Sequence, residues 1–343
     1  MNDQGDGMRA SPISASVDFD ADGVQHGFLN LPISVDESAW GAVMVPITVV
    51  KNGEGPTALL TGGNHGDEYE GILALTKLAQ RLDAAQVRGR VIIAPMMNTP
   101  AVSVGRRTSP LDRGNMNRSF PGDPSGGPTA QIADYFNRVL VPMCDYALDL
   151  HSGGRTLDII PFAAAHRLDD HGQEARCLAG ALSFGAPYVV MMHELDAVSL
   201  YDTAVERQGK TFVTTELGGG GTATPASLEL TERGVRNFLI HSGNLEGEYR
   251  HPGRQTYLEM PDASCYVQSE HSGILELTCA LGGEVRKGEL VARVYDPSRT
   301  GAEPACYHAG RDGVVLARRF PALTAMGDTI VVIAERVDRL ERG

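Results

Sequence analysis

TALLTGGNHGDEYEGILALTKLAQRLD, residues 57–83, holds the pattern on which the fold turns. Its first seven residues (57–63) are a compact apolar run closed by two glycines, which reads as a buried strand running into a turn. From Asp67 the period changes, and Ile72, Leu75, Leu78, Ala79 and Leu82 fall on one face of a helix over 67–83. A strand that passes through a tight turn straight into a helix predicts an α/β sheet covered by helices. Neighbouring segments keep that rhythm. GAVMVPITVV (41–50), RGRVIIAP (88–95), DYALDLH (145–151) and TFVTTEL (211–217) read as strands, and 129–141, 172–184 and 227–243 as helices.

From about residue 250 the texture becomes short β runs broken by glycine, as in SGILELTCALGGEVRKGELVARVYDP (272–297) and DTIVVIAE (328–335). The expected division is therefore a leader and first β segment over 1–40, a catalytic α/β domain over 41–249, and a smaller all-β domain over 250–343. GGEVRKGELVARV (282–294) is similar to half of a lipoyl- or biotinyl-type barrel, but no lysine sits in the setting an attached cofactor needs, so a swinging-arm carrier is not expected.

Composition narrows the partners. Lys and Arg total 30 against 43 Asp and Glu, a net charge of −13, so the overall field repels phosphate backbones and anionic lipid. Neither nucleic acid nor membrane is an expected partner; a homo-oligomer is compatible with the sequence. No stretch approaches the ~20 apolar residues of a membrane span, and the polar opening MNDQGDGMRASPIS has no signal-peptide core. Met8 is an alternative start. Five widely spaced cysteines without a CxxC pair suit a reducing cytoplasm and argue against both a disulfide framework and a cysteine zinc site.

The chemistry gathers at strand ends. His65 and Glu68 follow strand 57–63 across a turn, so an imidazole and a carboxylate can be aimed at one point. An HxxE pair alone arises often by chance, and a lone histidine is more often a hydrogen-bonded core residue than a ligand. Context raises the reading. His151 ends the strand DYALDLH at the carboxyl edge where open α/β sheets gather ligands, and it supplies the distant third member of a zinc site with one open position.

Glu216, in TFVTTELGGGG, is a carboxylate at the end of a buried run, costly unless paired or used; it suits a general base acting on a metal-activated water. Residues 98–128 form a long aperiodic stretch in which GRRTSPLDRGNMNRSFPG (105–122) brings Arg106, Arg107, Arg113, Asn115, Asn117 and Arg118 together within an acidic protein. Asn117 with Arg118 suits a carboxylate clamp, and a second arginine suits an oxyanion.

Together GGNHGDEYEG, GNMNRSFPG, LDLHSGG and TTELGGGG resemble the motifs of the succinylglutamate desuccinylase and aspartoacylase family of zinc carboxypeptidase-like enzymes, a likeness that covers most of the chain. The resemblance implies a mixed sheet flanked by helices with a C-terminal β domain, one zinc held by His65, Glu68 and His151, Glu216 as general base, and Asn117 and Arg118 on the substrate carboxylate. It implies hydrolysis of a small N-acyl amino acid. A transition-state arginine is implied ahead of the Asn-Arg pair, where Arg106, Arg107 and Arg113 are available and Arg107 is favoured; a tyrosine from the β domain is implied among Tyr257, Tyr266 and Tyr307. Further runs, VDFDADGVQHGFLNLP and DIIPFAAAH among them, resemble a deacetylase branch whose substrate is an acetylated diamino acid. The alternatives are an acetylaspartate- or succinylglutamate-type deacylase and a zinc-binding scaffold without catalysis.

Overall fold

The computed structural model describes residues 10–36, 38–193, 198–250 and 253–340, so the alternative start at Met8 lies outside it. Eleven strands carry the argument: β1 (Gly23–Val35), β2 (Ser38–Asn52), β3 (Thr57–Gly62), β4 (Gly89–Ala94), β5 (Tyr146–Leu150), β6 (Phe162–His166), β7 (Tyr188–Met192), β8 (Thr211–Glu216), β9 (Thr256–Met260), β10 (Gly313–Arg319) and β11 (Thr329–Val337). In one mixed sheet they lie in the order β1-β2-β4-β3-β5-β8-β6-β7-β9-β11-β10. β4, β3, β5 and β8 run parallel, and β6 returns antiparallel to β8. These parallel strands are buried on both faces, which is why Thr57–Gly62 is buried at every position and carries no alternating polar face.

Helices α1 (Tyr69–Arg81), α2 (His171–Phe184) and α3 (Pro225–His241) cover one face, where Leu75, Phe184 and Phe238 pack on Leu60, Leu148 and Val213. On the other face, helical segments within 128–143 and the short helix Tyr201–Glu206 enclose Phe136, Leu140, Tyr201 and Phe212. Each such large side chain contributes ~1.5–3 kcal/mol. These clusters, not the polar groups of the site, hold the sheet edge in place.

The α/β expectation holds, and the structure differs mainly at element ends. Helix α1 is shorter than 67–83 because Glu68 keeps extended backbone angles and serves as the N-cap. α3 starts at Pro225 because Thr224 and Ser227 form a capping box. The stretch 98–128 holds only the short helix Thr99–Ser103 and a single turn at Met116–Arg118.

Toward the C-terminus, Gly273–Leu277, Leu290–Tyr295, Ala305–His308 and Leu323–Thr324 make a separate four-stranded antiparallel sheet, while β9, β10 and β11 extend the large one. All five cysteines are free. No described helix is long and apolar enough to cross a membrane.

Candidate active site

Strand register brings the sequence motifs together. Gly62 of β3 and Thr215 of β8 both pair with Leu150 of β5, so His65, His151 and Glu216 leave the sheet at one edge. The turn between β3 and α1 is folded under the start of the long loop. A Cβ on Gly66 would stand 2.1 Å from the backbone of Ala101, so glycine is required there. The Gly66 N–H donates to Arg106 O at 3.0 Å, which anchors the backbone just before Arg107.

Glu68 is the centre of the cluster. As N-cap it makes no capping bond, which leaves its carboxylate for the site. Its Oε1 lies 2.8 Å from His65 Nδ1 and its Oε2 lies 2.9 Å from His151 Nδ1. The Ser152 N–H donates to Oε2 at 3.3 Å, and Arg107 reaches Oε1 at 3.5 Å. Burial by itself would raise this carboxyl, yet the two imidazoles outweigh it and hold Glu68 well below the usual carboxylate range. One ligand atom each from His65, Glu68 and His151 falls within 4.8 Å of the others, a set able to hold a metal ion.

The partners of the two rings test that fit. His65 Nε2 faces Asn115 Oδ1 at 3.2 Å, an oxygen that also accepts from the Asn117 N–H. His151 Nε2 faces Asp149 Oδ2 at 3.0 Å. Each ring thus has acceptors at both nitrogens, so satisfying every contact by protons alone needs two imidazolium rings with centroids 4.9 Å apart. Burial opposes that for His65, whose proton affinity falls below the ordinary value; for His151 burial acts the same way, but Asp149 and Glu68 push it well above. A divalent cation held by His65, Glu68 and His151 would remove the conflict, since each metal-bound histidine would need to donate only its other ring N–H to an acceptor. The donor set therefore fits zinc.

Asp149 is itself held, by Thr61 Oγ1 at 2.7 Å and Asn64 Nδ2 at 3.0 Å. Asp149→Asn is expected to weaken metal binding ~10- to 100-fold, measured by competition with a chelator of known affinity; unchanged affinity would remove Asp149 from this role.

Glu216 lines the same cavity, and its Oε2 is buried with no hydrogen-bond partner among the described residues. Burial first, and then the charge of Glu68, pushes its carboxyl up to about 8. A carboxylate oxygen buried without a partner is costly as structure, and a proton affinity near neutrality is what acid–base work requires.

The cavity, of about 250 Å³, is lined by the residues expected to hold metal, act as base, meet the oxyanion or clamp the carboxylate: His65, Glu68, Arg107, Asn117, Arg118, His151 and Glu216. The Asn117 Oδ1 accepts the Tyr201 N–H at 2.9 Å, which fixes its amide, and the Arg118 guanidinium donates to Asn117 O at 2.7 Å. Of the three candidate arginines, only Arg107 lines this cavity, and none of Tyr257, Tyr266 and Tyr307 does. Tyr307 instead donates or accepts at His271 and Ser269 in the C-terminal sheet.

Sequence reasoning missed Asp149, although its two-residue offset from His151 along a strand puts both on one side. It also missed His166, a third strand-end histidine, and Asp202; both line the cavity. Larger depressions of about 600 and 900 Å³ lie elsewhere, but neither holds such a donor set.

The succinylglutamate desuccinylase/aspartoacylase catalytic domain matches residues 54–242. An N-alpha-acetyl-L-2,4-diaminobutyric acid deacetylase from Halomonas elongata is 70% identical over 341 residues, covering 99% of this chain and 100% of that protein. Among solved structures, the product-bound ectoine utilization protein EutE (DoeB) from Ruegeria pomeroyi is 54% identical with a TM-score of 0.93, covering 95% of this chain and 100% of its own. A succinylglutamate desuccinylase from a Silicibacter species is 53% identical, also with a TM-score of 0.93, over 96% of this chain and 100% of its own.

Proposed function

Since the chain belongs to the succinylglutamate desuccinylase/aspartoacylase family and is a hydrolytic enzyme, we propose that it is a zinc-dependent deacetylase that cleaves N-alpha-acetyl-L-2,4-diaminobutyrate to L-2,4-diaminobutyrate and acetate, in the catabolism of ectoine. The convergence of His65, Glu68, His151, Glu216, Arg107, Asn117 and Arg118 on one small cavity carries the reaction class. The substrate is supported by full-length likeness to the Halomonas deacetylase.

His65, Glu68 and His151 would hold the metal. A bound zinc lowers the pKa of water to ~7 and polarises a carbonyl as a Lewis acid. Glu216 accepts the proton of the attacking water and delivers it to the departing amine nitrogen, a double role suited to a carboxyl whose proton is held near neutrality. Arg107, half exposed and beside Glu68, offers its guanidinium to the oxygen that becomes negative as the amide carbon turns tetrahedral. Arg118 and Asn117 bind the substrate α-carboxylate. That contact anchors the molecule while the acyl carbon meets the water, and it excludes a substrate extended at its carboxyl end.

A panel of N-acetyl, N-succinyl and N-acetyl-dicarboxylic amino acids, with released acid and amine both quantified, tests this reading. The acetylated diamino acid is expected to give the highest kcat/KM; release of succinate in preference to acetate would assign the protein to the other branch. In the same assay, replacing the substrate acid by its primary amide is expected to lower kcat/KM ~10- to 100-fold, since a hydrogen bond to a charged group is worth ~1.5–3 kcal/mol. Arg118→Lys keeps the charge without the planar fork and should narrow that gap. An Arg118→Ala enzyme that separates acid from amide as well as the parent would move the clamp to another arginine.

A further inference from the structure

Beyond the groups assigned to hydrolysis, the cavity is lined by His166, Met192, Leu200 and Asp202. His166 closes β6 with its ring buried, and its Nδ1 is held 2.8 Å from Glu206 Oε1. Its Nε2 points to Asp202 Oδ2 at 3.9 Å, beyond hydrogen-bond length. The other oxygen, Asp202 Oδ1, accepts the Thr203 N–H at 2.6 Å, so the carboxylate is fixed with Oδ2 left over.

Among the described residues His166 is the only cationic partner of either carboxylate. One imidazole contributes at most a single positive charge against two negative ones. With both carboxylates ionised, a net negative charge remains in a largely desolvated place, the Asp202 side chain being only 13% exposed. Such a charge is costly unless a cation arrives with the ligand. The same cavity presents Arg107 and Arg118, so its charge is divided between two signs. It complements a molecule with one carboxylate and one cationic side chain, with Met192 and Leu200 beside the intervening methylenes. A second carboxylate in place of the side-chain cation would add a like charge beside Asp202, an arrangement that disfavours dicarboxylic substrates as well as attracting the diamino acid.

We propose that Asp202 is the specificity-determining residue for the side chain, accepting a hydrogen bond from the terminal ammonium of the acylated diamino acid. The Thr203 N–H fixes the carboxylate, and His166, held by Glu206, stands beside it with Nε2 3.9 Å from Oδ2. This rests on the deacylase reading above.

The test compares N-acetyl-2,4-diaminobutyrate with its neutral isostere N-acetyl-2-aminopentanoate on zinc-loaded enzyme. The parent is expected to prefer the diamino acid, and Asp202→Asn to lower that kcat/KM ratio ~10- to 100-fold, the range for a lost charge-assisted contact. Asp202→Glu should restore part of the ratio. Calorimetric binding of the two free amino acid products gives the same preference without turnover, so a variant crippled in catalysis still reports. Persistence of the parental preference in Asp202→Asn, by rate and by binding, overturns the assignment. A parent enzyme that hydrolyses both acids equally well also overturns it while leaving the deacylase reading intact; a parent that hydrolyses neither strikes the deacylase reading itself.

Discussion

Glu216→Gln is expected to keep the metal and lose turnover by ~10²-fold or more, the usual contribution of a positioned acid–base group. Glutamine preserves the shape of the side chain at the end of β8 and removes only its ability to take a proton. The side chain is not among the three ligand donors, so metal content should stay at the parental level. The change also removes a buried carboxyl that has no hydrogen-bond partner for Oε2 among the described residues, so thermal stability should hold or rise, as at sites where function is kept at a cost to stability. Elemental analysis, melting temperature and acetate release on one preparation decide it. Retained activity with retained metal would mean another carboxylate is the base, and Asp67 and Glu70, both buried beside the metal motif, would be the first to test.

His151→Ala should behave oppositely, losing metal and turnover together. Its ring supplies one donor atom of three and also separates the carboxylates of Glu68 and Asp149, which it touches at 2.9 and 3.0 Å. Without the ring, two buried carboxylates share a space with one positive partner fewer, and breaking such a buried pairing costs ~3–5 kcal/mol. Rate loss of ~10³-fold or more follows if the metal supplies several kcal/mol of transition-state stabilisation. His65→Ala should match it. A His151→Ala protein that binds metal as tightly as the parent would remove this residue from the ligand set.

Much of this was legible in the sequence because strand ends and glycine turns are local patterns. Thr57–Gly62 and the run that Glu216 closes are short and rich in apolar and β-branched residues, and the residues that follow or close them need only the direction of a parallel strand to be placed at one edge. Arg107 is different. Arg106, Arg107 and Arg113 are equivalent in composition, and the choice among them is made by the backbone bond from Gly66 to Arg106, a contact between distant segments that no period encodes. Asp202 and Glu206 were hidden for the same reason. The six-residue helix Tyr201–Glu206 is too short to show a period, and its meaning comes from lying against His166 at the end of β6. Strand β7 went unread between them, since YVVMM is a short apolar run that helix and strand share equally. The helix ends were set by side-chain capping at Thr224 and by a glutamate at N-cap that declines to cap, neither visible in hydrophobic periodicity.

The central claim is that deacylation depends on one metal ion held by His65, Glu68 and His151. Titrating metal-stripped protein with zinc while following acetate release from N-acetyl-2,4-diaminobutyrate tests it most directly. Activity should be absent at the start, rise in proportion to added zinc, and level off at about one equivalent per chain, as a single three-ligand site requires. Full turnover in protein holding less than a tenth of an equivalent of any metal would contradict the account.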